Sequence, residues 1–200
     1  MSDAEGTTLR VPPPAGGEEA RTVARALVEA AIPADGYDID HAVAVADLSR
    51  LVGTEMGLGE GALEALSLGG LLHDLGKLGV AGFILHKAGP LAGWELEIVQ
   101  GHPDMGARMV EPLGYLRRAA RAIRHHHERY DGGGYPDGLQ GEEIPLSARI
   151  VAVADAYDVM VRGRPYARVR TPTEAVRELQ EEAGGQFDAR VVAALARVAV

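Results

Sequence analysis

The sequence predicts an all-α protein. Apolar residues recur at helical spacing almost without interruption from Glu18 onward. No run alternates apolar and polar residues cleanly enough for a strand, and no internal repeat is visible. Proline, glycine and capping residues fall between the periodic segments, where helix ends belong.

Residues 1–17 hold Pro12, Pro13, Pro14, Gly16 and Gly17 and little periodicity, so they read as a disordered leader or a linker. Residues 18–200 read as one domain. A first helix is expected over 18–31, with Val23, Ala24, Leu27 and Val28 on one face and Pro33 ending it. Asp40 suits the N-cap of a second helix over 41–56, with Val45, Leu48, Leu51 and Val52 in register. A third, over 61–75, is apolar nearly all round and should be the buried central helix, closed by Gly76 and Gly79. A loop to Pro90 precedes helices expected over 93–100, 103–110 and 115–127. The glycines in 130–141 require a loop. Pro145 fits the first turn of a helix to Val161. Thr171-Pro172-Thr173-Glu174 is a capping box that starts a helix to Ala183, and Asp188 caps the last helix.

Composition narrows the chemistry. The 200 residues contain no cysteine, which excludes a disulfide scaffold, an iron–sulfur cluster and a thiol nucleophile. A soluble, cytoplasmic protein is the expectation. Net charge is −9, so duplex nucleic acid is not an expected partner. No stretch approaches the ~20 apolar residues of a membrane span, so no membrane partner is expected either.

The seven histidines are the informative residues. His73-Asp74 ends the most apolar segment, His126-His127 enters the glycine-rich loop, and Asp155 interrupts the apolar run from Ile150 to Ala154. Buried charge needs compensation, and a metal ion is one source of it. Two ions bridged by a carboxylate are compatible with the His-Asp pair, because adjacent helical side chains point ~100° apart. Hydrogen-bonded pairs at helix ends are equally compatible with each feature taken singly.

The order of the motifs adds a resemblance. His73-Asp74-Leu75-Gly76-Lys77 and His126-His127-Glu128 followed by Asp131-Gly132-Gly133-Gly134-Tyr135-Pro136 resemble the signatures of the HD-GYP subgroup of HD metal-dependent phosphohydrolases. Lys87 to Leu91, Glu95, His102 to Gly106, Ile144 to Ile150, Asp155 to Asp158 and Arg164-Pro165-Tyr166 extend the match over most of the chain. The resemblance implies an HD-domain helical bundle with additional C-terminal helices. It implies hydrolysis of cyclic di-GMP to pGpG or GMP, and iron or manganese as the metal. The implied ligands are His41, His73, Asp74, His102, His126, His127 and Asp155, with Asp74 bridging and catalytic. Lys77, also placed in the catalytic set, would contact the substrate phosphate, as would Arg164, with Tyr166 and Arg168 beside them. Glu128 would orient a ligand histidine, and Gly134, Tyr135 and Pro136 would form a loop contacting diguanylate cyclase (GGDEF) domains.

Two divalent ions joined by a hydroxide would provide a nucleophile of lowered pKa and a clamp for an in-line displacement. Affinity for the metals is expected to fall below about pH 6, as ligand histidines protonate. Two departures stand out. Tyr37 occupies the position where members with a third metal tend to carry Glu, so two ions are expected. Ala167 follows Arg164-Pro165-Tyr166, where Lys or Arg is frequent. The alternatives are therefore an HD-type hydrolase of another cyclic dinucleotide or nucleotide, or a low-activity signalling module that binds GGDEF-type partners.

Overall fold

A computed structural model describes residues 17–35, 39–163 and 168–199. Among them the chain forms α1 (Gly17–Asp35), α2 (Ile39–Glu55), α3 (Glu60–Leu72), α4 (Gly82–Leu85), α5 (Gly93–Gln100), α6 (His102–Val110), α7 (Ala120–His125), α8 (Leu146–Arg162), α9 (Pro172–Glu181) and α10 (Ala189–Val198). One isolated bridge, Ala183 with Phe187, is the sole β pairing among the described residues. The all-α expectation holds. No helix of the described residues is long and apolar enough to cross a membrane.

Helix α3 is the axis, as its all-round apolarity predicts, and it touches α1, α2, α7 and α8. Its N-terminal half sends Leu63 and Leu66 into a core with Val52, Ile150, Val153, Leu179, Val192 and Leu195. Its C-terminal half sends Leu68, Leu71 and Leu72 into a second core with Val28, Val110, Leu116 and Ile123. Leu72 is completely buried, so truncating it to alanine should cost roughly 2–5 kcal/mol. The C-terminal end of α3 is thereby anchored in the second core.

Several boundaries differ from the sequence reading. Helix α3 stops at Leu72, and Leu75–Gly79 forms a 3₁₀ turn that packs on α6. Gly76 permits this approach, since a Cβ there would lie 1.9 Å from the His102 carbonyl oxygen. Helix α1 continues past Pro33 to Asp35 instead of stopping before it. Asp40 lies inside the first turn of α2 instead of capping it. The segment expected over 115–127 divides into a 3₁₀ turn, Arg117–Ala119, and α7. Pro145 sits one residue before α8, at its N-cap, instead of in the first turn. The local signals fared better. Thr171 Oγ1 accepts from the Glu174 N–H at 3.3 Å while the Glu174 carboxylate accepts from the Thr171 N–H at 2.8 Å, and Asp188 caps α10 through the Arg190 N–H at 2.9 Å. The expected leader over 1–17 lies outside the described residues up to residue 16; Gly17 begins α1.

Candidate metal centre

Five segments bring polar side chains together beside the packed interior. His41 stands in the first turn of α2, and His73 and Asp74 immediately follow α3. His102 opens α6, His126 and His127 follow α7, and Asp155 projects from the middle of α8.

The seven side chains fall into two groups. His41, His73 and Asp155 form one; Asp74, His102, His126 and His127 form the other. Within each group the candidate ligand atoms all lie within 4.8 Å of one another. His41 Nε2 is 3.2 Å from Asp155 Oδ1, and His73 Nε2 is 4.0 Å from the same oxygen. Asp74 joins the groups: its Oδ2 is 3.4 Å from His73 Nε2 and its Oδ1 is 3.2 Å from His102 Nε2.

The backbone fixes which imidazole nitrogen is free. His73, His102 and His126 each donate from Nδ1 to the carbonyl three residues earlier: Gly70 at 2.7 Å, Val99 at 2.8 Å and Ile123 at 2.7 Å. In the neutral imidazole the proton then sits on Nδ1 and the lone pair on Nε2; at His73 burial opposes protonation, but the Asp74 carboxylate outweighs it and raises the pKa. All three Nε2 atoms are buried without a hydrogen-bond partner. An orphaned buried acceptor costs about 1–3 kcal/mol. In that tautomer the His102 lone pair faces the Asp74 Oδ1 oxygen at 3.2 Å. A cation resolves all of these conflicts, and five imidazoles with two carboxylates suit a divalent transition metal better than calcium or magnesium. The residues fit a metal centre.

Electrostatics separates the groups. Burial opposes protonation of His41, but hydrogen bonds and charge from Asp155 and Asp158 outweigh it and lift its pKa to about 9. Burial and then the neighbouring His102 push His127 down to about 4. His126 is also held well below the usual histidine range, by burial and then by His127. Burial alone would raise the Asp74 pKa, yet His73 and Lys77 hold it well below the usual carboxylate range.

The other expected residues have varied surroundings. Lys77 Nζ is 2.5 Å from Asp74 Oδ2 and partly exposed, at the rim of the cluster. Glu128 makes no hydrogen bond to a ligand histidine, contrary to the expectation; its carboxylate accepts from the backbone N–H groups of Asp137 at 2.8 Å and Leu139 at 3.2 Å, which ties down the glycine-rich loop. Gly134 lies so close to the His127–Arg129 backbone that a Cβ would come within 2.2 Å of the Arg129 nitrogen. Tyr135, expected to face partners, stacks on His127 with ring centroids 4.9 Å apart, and the bond to Pro136 is cis. Arg168 is exposed and pairs with Glu174 at 2.9 Å. Arg164, Tyr166 and Ala167 lie outside the described residues, as does Tyr37.

Sequence reasoning assigned no role to Asp158. Its Oδ2 accepts from His41 Nδ1 at 2.7 Å, which orients that imidazole, and Arg162 holds it at 2.8 Å. The spacing was a usable signal: Asp155 and Asp158 are three apart on α8 and so share a face.

A profile of the HD domain family matches residues 12–191. Over 152 residues the chain is 40% identical to the cyclic di-GMP phosphodiesterase response regulator RpfG of Xanthomonas campestris, a match covering 75% of this chain and 40% of that protein. Over 160 residues it is 39% identical to a cyclic di-GMP phosphodiesterase of Thermotoga maritima, covering 79% of this chain and 44% of that protein. The chain thus spans less than half the length of these relatives. The crystal structure of a cyclic GMP-AMP specific phosphodiesterase of Vibrio cholerae superposes with a TM-score of 0.68 at 20% identity, covering 89% of this chain and 48% of that one, which establishes likeness of fold. With the profile spanning most of its length and the motif string intact, the chain belongs to the HD domain family, in its HD-GYP group.

Proposed function

We propose that this chain is a metal-dependent phosphodiesterase that opens cyclic di-GMP to pGpG or GMP. One observation carries the reading: Asp74 turns one oxygen toward each of two groups of ligand atoms, and three of the imidazole nitrogens there are buried without hydrogen-bond partners. His41, His73 and Asp155 would hold one divalent ion, His102, His126 and His127 the other, with Asp74 shared between them. Iron or manganese suits this mixed nitrogen and oxygen donor set. Such a centre, when loaded, supplies a nucleophile near neutral pH and neutralises phosphate oxygens.

The chain's own residues do the rest. The carbonyls of Gly70, Val99 and Ile123 keep three imidazoles in the metal-accepting tautomer. Lys77, with its Nζ at the rim, binds the phosphodiester. The cation count explains how a chain of net charge −9 attracts a dianionic dinucleotide: the charge that matters is local. Within this reading the protein works in the cytoplasm, where the substrate is made. A GGDEF-type protein remains the proposed partner for the glycine-rich loop.

Ala167, in place of the frequent Lys or Arg, supports a second reading in which another cyclic dinucleotide, such as cyclic GMP-AMP, is preferred. Anaerobic purification, metal counting and chromatography of reactions with both dinucleotides decide the matter. Two iron or manganese ions per chain with pGpG or GMP formed from cyclic di-GMP is the expected result. Faster turnover of cyclic GMP-AMP selects the second reading. A chain that stays metal-free and inactive after iron or manganese reconstitution contradicts both.

A further inference from the structure

The ligand imidazoles are not all held alike. Those of His73, His102 and His126 are fixed through Nδ1 by backbone carbonyls, and that of His41 by the Asp158 carboxylate. His127 has no such bond: among the described residues, no hydrogen bond reaches its ring. Its contacts are aromatic, to His102 at 5.1 Å, to His126 at 4.0 Å and to Tyr135 at 4.9 Å between centroids. The first two are fellow members of the same group. Tyr135 lies nearly parallel to the His127 ring, at 29°.

Tyr135 is itself fastened to the segment that carries His127. Its N–H donates to the His127 carbonyl at 3.2 Å. Gly134, with no room for a Cβ, lets the loop fold back onto residues 127–129. The Glu128 carboxylate grips the loop amides beyond the tyrosine. Arg124, on the preceding helix, holds Asp137 through two bonds, at 3.1 and 2.9 Å, and also pairs with Asp104 on α6. The loop is therefore fastened against the centre on both sides of Tyr135.

We infer that Tyr135 is a positioning residue of the metal centre: its ring, stacked on His127, replaces the missing Nδ1 hydrogen bond and holds that imidazole toward Asp74 and His102. This rests on the proposed metal centre. It assigns the tyrosine of the loop an inward task, distinct from contact with a partner protein.

The test compares Tyr135→Phe, which keeps the ring, with Tyr135→Leu, which keeps apolar bulk without one. The metal-free full chain is titrated with Mn²⁺, followed by electron paramagnetic resonance, and its histidine ring protons are observed by NMR before metal is added. The inference predicts wild-type affinity for Tyr135→Phe and about tenfold weaker binding of one Mn²⁺ for Tyr135→Leu, the scale of losing a residue that orients a ligand. In the metal-free chain the His127 ring protons should be shifted upfield by the facing ring in the wild type and in Tyr135→Phe, but not in Tyr135→Leu. Equal losses in both variants would assign the effect to the hydroxyl and overturn the inference. Wild-type affinity in Tyr135→Leu, or unshifted His127 protons in the wild type, would overturn it as well. A wild type that binds no Mn²⁺ counts against the metal centre, while the NMR shifts still decide whether the stack exists.

Discussion

The two halves of the centre use the same residue types and acquire opposite proton preferences. Around His41 the neighbours are carboxylates, Asp155 at 3.2 Å and Asp158 at 2.7 Å, and the imidazole is held protonated up to about pH 9. Around His127 the neighbours are other imidazoles, and it is held neutral down to about pH 4. Burial pushes both histidines the same way, so the nearest charge decides. Asp74 touches both halves and couples them. The His127 half is pre-set for metal, whereas the His41 half must first release a proton.

Removing the coupling should have the largest effect. Asp74→Ala should lower kcat/KM by roughly a thousandfold or more, because both halves lose a ligand, with helix content by circular dichroism unchanged. Substantial residual turnover in that variant would mean that the halves do not depend on Asp74. The pH dependence comes next. Because His41 carries its proton below about pH 9, Mn²⁺ affinity in its half should rise about tenfold per unit between pH 7 and 9. His126 and His127 are already neutral there, so they contribute no matching rise. This moves the loss of affinity well above the pH of about 6 expected from ordinary histidines. Equal slopes in both halves, measured by calorimetry across that range, would erase the contrast.

Asp158→Asn should lower the upper end of this pH slope, because His41 loses part of what raises its pKa while Asp155 still raises it, and should weaken metal binding in that half by about tenfold. An unchanged slope would show that Asp155 alone raises the pKa. Lys77→Ala should have the smallest effect, raising KM for cyclic di-GMP roughly fivefold at unchanged metal content. Loss of metal in that variant would make Lys77 a support for Asp74 instead of a substrate contact.

The halves also differ in how readable they were. The seven His and Asp positions were named through the family resemblance, whose motifs are short and distinctive, and the caps of α9 and α10 were legible because capping is local. Asp158 was harder, since its role depends on α2 and α8 meeting 117 residues apart in sequence. The inward turn of Tyr135 was hidden for a similar reason: glycines signal a loop, but the Glu128 and Arg124 bonds and the Tyr135 N–H to the His127 carbonyl set which way it faces. The early end of α3 depends on Gly76 meeting α6, a long-range contact that helix periodicity cannot show.

The most direct test of the account is a crystal structure of the iron- or manganese-loaded chain with anomalous scattering at the metal edge. The account predicts two peaks ~3.5–4 Å apart, one beside His41 and one beside His127, with the Asp74 carboxylate touching both. A single peak, or two peaks with Asp74 bound to only one, would contradict it.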